Sequence, residues 1–164
     1  MSVTYTPEQE GETHINVYSR SETLLGRITS NFERMHFLVP GMGSFASMEA
    51  FYYYVSTGER YDHLRKLSGL IAKREGQKLS AVKRDDFDDV MRLGVRSKYN
   101  ENKHTFDELF ITDSFNDHGD ILPFVHYYVV GGGRVIVPQG NAWLTEEWTA
   151  IRSEFFAANP ELLM

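Results

Sequence analysis

Between Asp85 and Asn102 the chain carries one amphipathic stripe that constrains everything built around it. Phe87, Val90, Met91, Val95 and Tyr99 recur at the spacing of a single helix face. Asp85 or Asp86 can cap that helix, and Asp88 and Asp89 suit the positive end of its dipole. Arg92, Arg96 and Lys98 lie towards the opposite end. Aromatic residues make up 13% of the chain, a load that a disordered segment does not carry, so a buried core is expected to receive the stripe.

The rest of the chain alternates between weaker helix and strand signals. INVYS (15–19) and MHFLV (35–39) read as short strands, the second stopped by Pro40, with 40–44 as a loop. Residues 45–58 suit a helix ending at Gly58. Residues 61–76 suit one or two short helices broken near Ser68-Gly69, and 104–112 another helix. In 123–138, two β-rich runs flank Gly131-Gly132-Gly133, a hairpin signal. A last helix is predicted from about Leu144, with Thr145 as its cap and Trp148, Ile151, Phe155 and Phe156 on its apolar face. The expected fold is α+β: a single compact helix-rich domain over 14–164, with a small β component and a hairpin in its C-terminal half. Residues 1–13 are polar, carry Pro7 and Gly11, and read as a loosely held arm.

With 164 residues, one domain is the natural size. The formal net charge of -6 gives no overall basic footprint for nucleic acid. The chain has no cysteine, which excludes disulfides, thiolate nucleophiles and Cys-ligated metal. The first residues lack a basic n-region and an apolar core, so no signal peptide is expected. No apolar run approaches the ~18 residues of a membrane span. A cytoplasmic protein without membrane association is expected.

Chemistry-bearing motifs are sparse. The six histidines form no i, i+4 pair and no H-E-x-x-H, so no metal site and no cofactor are expected. The triple glycine lacks a following Lys-Ser/Thr and reads as a turn. The acidic loop with Asp113, Asp117, His118 and Asp120 reads as turn chemistry. Three features stand out. Ser30-Asn31-Phe32 places a polar pair beside an aromatic. Ser47-Met48-Glu49 puts a carboxyl at the head of a very apolar segment, where burial would raise its pKa and suit acid/base work. Lys98, Asn100 and Asn102 end the amphipathic helix. Each has a bland reading too: a cap for Ser47, a surface ion for Lys98, a turn for the asparagines.

In order, these features resemble the NADAR family, also called YbiA-like. That family's SNF motif corresponds to Ser30-Asn31-Phe32, and its S-x-E-H-aromatic motif to Ser47-Met48-Glu49 with Tyr52 as the aromatic. AKREG, with Ala72 and Gly76, resembles its Ala-Lys-x-x-Gly stretch. Met91, Lys98, Tyr99 and Asn102 resemble its helix ending in Met, Lys-Phe and Asn. Leu109 and Thr112 fall where it has a Leu and a Thr. Asn141, Leu144 and Arg152 loosely resemble its closing Asn-x-Leu-Gly and Arg. The likeness runs over roughly residues 25 to 155. There are departures. Ser56 stands where the family usually has a lysine proposed to attack the sugar, so that route does not carry over. The family's Asp-x-x-Trp-Gly is replaced by His126-Tyr127-Tyr128, and the closing glycine is missing.

The resemblance implies N-glycoside chemistry on ribose: release of ADP-ribose from guanine bases, or cleavage of ribosylamino pyrimidine phosphates. The substrate partner is then a small nucleotide or an ADP-ribosylated nucleic acid. Glu49 would stabilise the oxocarbenium-like centre or move the proton. Asn31, beside Ser30 and Ser47, would hold ribose hydroxyls or the base edge. Lys98 and Arg152 would meet phosphate, with Asn102 and Asn141 nearby in the motifs. Tyr52 or Phe32 could stack a base, and His126 could replace the missing acid. Two other classes stay open. One is a binding module that sequesters ADP-ribose or a related nucleotide after loss of turnover. The other is an interaction protein using the Tyr52–Tyr54 cluster and the aromatic C-terminal helix.

Overall fold

A computed structural model describes residues 4–164. In chain order it contains β1 (Ile15–Asn16), α1 (Leu24–Thr29), β2 (Phe37–Val39), β3 (Gly43–Phe45), α2 (Met48–Ser56), α3 (Gly69–Gln77), α4 (Phe87–Glu101) and α5 (Lys103–Asp113). Then follow β4 (Phe124–Val125), β5 (Tyr128–Val130), β6 (Arg134–Ile136) and α6 (Ala142–Ala158). The class is α+β and helix-rich. The chain divides into two compact units: Ser30–Lys103, and the residues up to Thr29 together with His104–Met164.

In the unit Ser30–Lys103, β2 and β3 form an antiparallel hairpin in which Phe37 faces Phe45. The loop expected over 40–44 thus ends early. Gly43, at φ 92°, turns the chain directly into the second strand. The rings of Phe37, Phe45 and Phe51 pack together, Phe45 meeting Phe51 edge-on at 4.9 Å. The helix predicted over 45–58 is α2. Ser47 caps it by accepting the Ala50 N–H at 3.0 Å and donates its own hydroxyl hydrogen to the Leu67 carbonyl at 2.7 Å. The amphipathic stripe forms α4 as expected, with Val90, Met91, Val95 and Tyr99 buried. Asp86 is at its N-cap but makes no capping bond; its carboxylate pairs with Arg84 instead.

Two glycines set how closely these helices approach α2. A Cβ on Gly94 of α4 would lie 2.4 Å from the Phe51 ring, and one on Gly76 of α3 would lie 2.1 Å from the Tyr53 ring. Arg65 ties the hairpin to α2. It donates to the Met42 carbonyl at 2.6 Å and to the Tyr54 hydroxyl at 2.8 Å, and lies over the rings of Phe45 and Tyr54.

In the other unit, β1 pairs in parallel with β4, Ile15 opposite Phe124. The strand expected over 15–19 is shorter because the chain turns after Val17, with the Ser21 N–H donating to the Tyr18 carbonyl. Residues 1–3 of the expected arm lie outside the described residues. Over 4–13 the chain is tied by Glu10, whose carboxylate accepts from the Asn16 and Glu22 N–H groups and from the hydroxyls of Ser21 and Thr23. The hairpin β5–β6 turns through the triple glycine, with Tyr128 opposite Ile136. Helix α6 begins at Ala142, before the expected Thr145 cap. Asn141 occupies the N-cap without a side-chain bond. Burial of Trp143 and Leu144 in the first turn outweighs the missing cap.

Candidate functional site

Glu49 lies in the first turn of α2, a position the helix dipole favours for a carboxylate. The surrounding apolar packing acts in the other direction. Glu49 is only 8% exposed, and burial pushes its carboxyl up to about 7, with the Lys73 charge on α3 opposing that rise. Both protonation states are therefore populated near neutral pH, which suits a group that must accept and return a proton. Tyr52, one turn along α2, has its phenol pushed up by burial and by the Glu49 charge. Its ring meets Phe87 edge-on at 5.5 Å.

The SNF segment is held against this carboxyl by backbone. The Glu49 N–H donates to the Asn31 carbonyl at 2.8 Å, and the Gly69 N–H to the Phe32 carbonyl at 3.1 Å. The Ser30 hydroxyl accepts the Phe32 N–H at 3.2 Å, closing the turn. The Asn31 Oδ1 is buried and has no hydrogen-bond partner among the described residues. An acceptor left bare in a folded chain costs about 1–3 kcal/mol and asks for a donor.

Lys98 departs from expectation. It is fully buried, and its Nζ donates to the Ser30 carbonyl at 3.0 Å. Burial lowers its pKa to about 7, against the pull of the Glu33 charge. Where a phosphate contact was expected, the structure turns Nζ to the Ser30 carbonyl, a positioning role for the SNF turn. Asn102 serves the same end of α4: its amide donates to the Lys98 carbonyl at 2.9 Å and the His36 carbonyl at 3.1 Å. The hydroxyl of Ser47 is likewise spent on its cap. Among the expected residues of this unit, Glu49, Asn31 and Tyr52 keep chemistry to offer, while Ser30, Ser47, Lys98 and Asn102 hold the frame. The ring of Phe32 is half-buried beside them in sequence. Lys73 supplies the charge that opposes the rise at Glu49. Its one signal in the sequence is the AKREG stretch.

The remaining expected residues belong to the other unit. His126 and Asn141 line one cavity there. Arg152 is 4% exposed, with its guanidinium 4.2 Å above the Phe124 ring and one long contact, 3.5 Å, to the Ser114 hydroxyl. Among the described residues no carboxylate pairs with it, and burial lowers its pKa to about 10. A buried guanidinium without a counter-charge is costly and favours an anion. His14, fully buried, bonds the Tyr127 hydroxyl through Nε2 at 2.7 Å. Among the described residues no cluster of three or more His, Asp or Glu is placed to hold a metal, and no helix is long and apolar enough to cross a membrane.

The fold is YbiA-like and of the α+β class. The solved structure that carries the comparison is the NMR structure of the E. coli protein YbiA. It matches with a TM-score of 0.62 at 19% identity, over 92% of this chain and 89% of that one. No protein-family model matches the sequence, and no curated protein does.

Proposed function

We propose that the chain is a cytoplasmic N-glycosidase of the NADAR type, which hydrolyses the ribose–base bond of an ADP-ribosyl or related ribosyl nucleotide. ADP-ribosyl guanine is the leading substrate class. The observation that carries this reading is the buried Glu49 carboxyl, poised near neutral pH and tied by its backbone to Asn31, whose Oδ1 awaits a donor. In the reaction the bond between the anomeric carbon and the base nitrogen breaks, and its electron pair leaves with the base. The Glu49 carboxylate stabilises the oxocarbenium character left behind. It then takes a proton from the attacking water and passes it to the departing base nitrogen, which regenerates the carboxylate. Asn31 Oδ1 accepts from a ribose hydroxyl and orients the sugar. Tyr52 lends an aromatic wall. Arg152, in the other unit, is a separate candidate contact for an anionic group.

Purified protein incubated with NAD, ADP-ribosylated guanosine, ADP-ribosylated single-stranded DNA and a ribosylamino pyrimidine phosphate tests this, with mass spectrometry reading base and sugar. Base release that vanishes in Glu49→Gln supports the reading. Turnover that survives in a folded Glu49→Gln preparation refutes the role of Glu49.

Ser56 favours a second reading. It closes α2 and offers its carbonyl to the Val82 N–H at 2.7 Å, with no amine at that position. A module that binds ADP-ribose without cleaving it is then expected to return its ligand chemically unchanged from a calorimetry cell.

A further inference from the structure

A cavity of about 600 Å³ lies within the unit that contains His104–Met164. That volume falls in the range of small-molecule sites. The stretch Phe124 to Tyr127 forms one side, and the segment from Val135 into the start of α6 forms another. Among the described residues, no Lys, Arg, Asp or Glu lines it. What lines it is aromatic, aliphatic, or neutral and polar.

His126 is the informative member. Its Nδ1 lies 2.6 Å from the Val17 carbonyl oxygen. A carbonyl only accepts, so Nδ1 carries the hydrogen and Nε2 presents a lone pair. His126 makes no other hydrogen bond among the described residues. Burial lowers the proton affinity of the ring, with the Val17 bond acting the other way. The hydroxyl of Tyr127 is occupied by His14, so Tyr127 offers the cavity its ring. The carboxamide of Asn141 caps nothing and is free to bond a ligand.

We infer that this cavity takes a neutral, planar nitrogen heterocycle of the nucleobase class, one of whose N–H groups donates to His126 Nε2. The rings of Tyr5, Phe124 and Tyr127 supply flat apolar contact, and the amides of Gln139 and Asn141 meet the polar edge. An anion finds no charged partner in the lining, and a purely apolar ligand leaves Nε2 unsatisfied. The assignment changes the role of His126. A ring with its hydrogen committed to Val17 recognises a base; it does not protonate one. The inference stands on this cavity and goes beyond the chemistry assigned to Glu49.

Binding of inosine and adenosine to the full chain is measured by calorimetry in the Glu49→Gln background, which keeps any substrate intact. The matched probes 1-methylinosine and N6,N6-dimethyladenosine lack the base N–H. We expect at least one nucleoside to bind, and its methylated partner to bind at least about tenfold more weakly. His126→Phe should weaken the same nucleoside by a similar factor. The methylated probes need no variant, so a misfolded His126→Phe does not blunt the test. Absence of binding by both nucleosides at millimolar concentration overturns the inference, as does binding indifferent to methylation and to His126→Phe. Nucleoside binding without base release by the unsubstituted protein from any substrate refutes the glycosidase reading and leaves this one intact.

Discussion

The Glu49 amide hydrogen is bonded to the Asn31 carbonyl at 2.8 Å, so the first turn of α2 and the SNF turn are one backbone unit. A carboxyl and a carboxamide that are 18 positions apart in sequence are thereby held in fixed register. Displacing either backbone misplaces both side chains.

Glu49→Gln is expected to reduce base release by about 10²–10⁴-fold, the usual size of a lost acid/base group. It also changes the pH dependence of stability. The Glu49 carboxyl rises from 4.5 to about 7 on folding, so the folded state holds the extra proton between those values. Stability conferred by protonation is present at pH 4.5 and is lost as pH rises to 7, by about 3 kcal/mol at 1.36 kcal/mol per unit. Urea denaturation across that window should show this decline in the unsubstituted protein, and Gln should flatten it. Parallel curves would contradict the burial of the carboxyl.

Lys98 titrates with the opposite consequence. Its pKa falls from 10.5 to about 7 on folding, so between these values the unfolded chain binds more protons. Stability should therefore climb as pH rises above 7, and Lys98→Met should remove the climb. Because Lys98 holds the Ser30 carbonyl, the same variant should lower kcat through a displaced Asn31 while leaving the Tm transition cooperative. A Lys98→Met protein with full turnover would show that the SNF turn needs no such anchor.

Gly94→Ala places a methyl 2.4 Å from the Phe51 ring, and the helices must separate or the ring must turn. We expect a loss of about 1–3 kcal/mol by urea denaturation. Combining it with Phe51→Leu should cost less than the sum of the two single changes, since both relieve or create the same crowding. Strict additivity would place the strain elsewhere.

Arg152→Met removes a buried charge that has no carboxylate partner. Its stability should change little, or rise, because a desolvated guanidinium gives way to apolar packing over Phe124. Affinity for a diphosphate-bearing nucleotide should drop by about 10- to 100-fold, the value of a hydrogen bond to a charged group. Calorimetry with ADP-ribose, set against thermal melts of the same protein, separates the two effects.

Much of the local structure is legible from the residues in order. The 3.6-residue stripe from Phe87 to Tyr99 specifies α4, Ser47 announces the start of α2, and the triple glycine between β-rich runs marks β5–β6. These are short-range signals, decided within a turn or two of the chain. The second strand after Pro40 and the early start of α6 were not legible. Gly43 and Asn141 carry weak local preferences, and partners brought by the fold outweigh them. The six positions of the SNF and S-x-E motifs point to a site, but not to the work each side chain does.

That division of labour is set by desolvation, which depends on residues distant in sequence. Burial moves Glu49 and Lys98 to about 7 from opposite sides, and Lys98 is an internal tether to the Ser30 carbonyl. The Val17 carbonyl, 109 positions away from it, fixes which nitrogen of His126 is bare. The sequence by itself determined the helices, the β5–β6 hairpin and the identities of the candidate site residues, because periodicity and turn chemistry are local. Only the tertiary structure decided their protonation and their access, because both are properties of the surroundings that folding assembles.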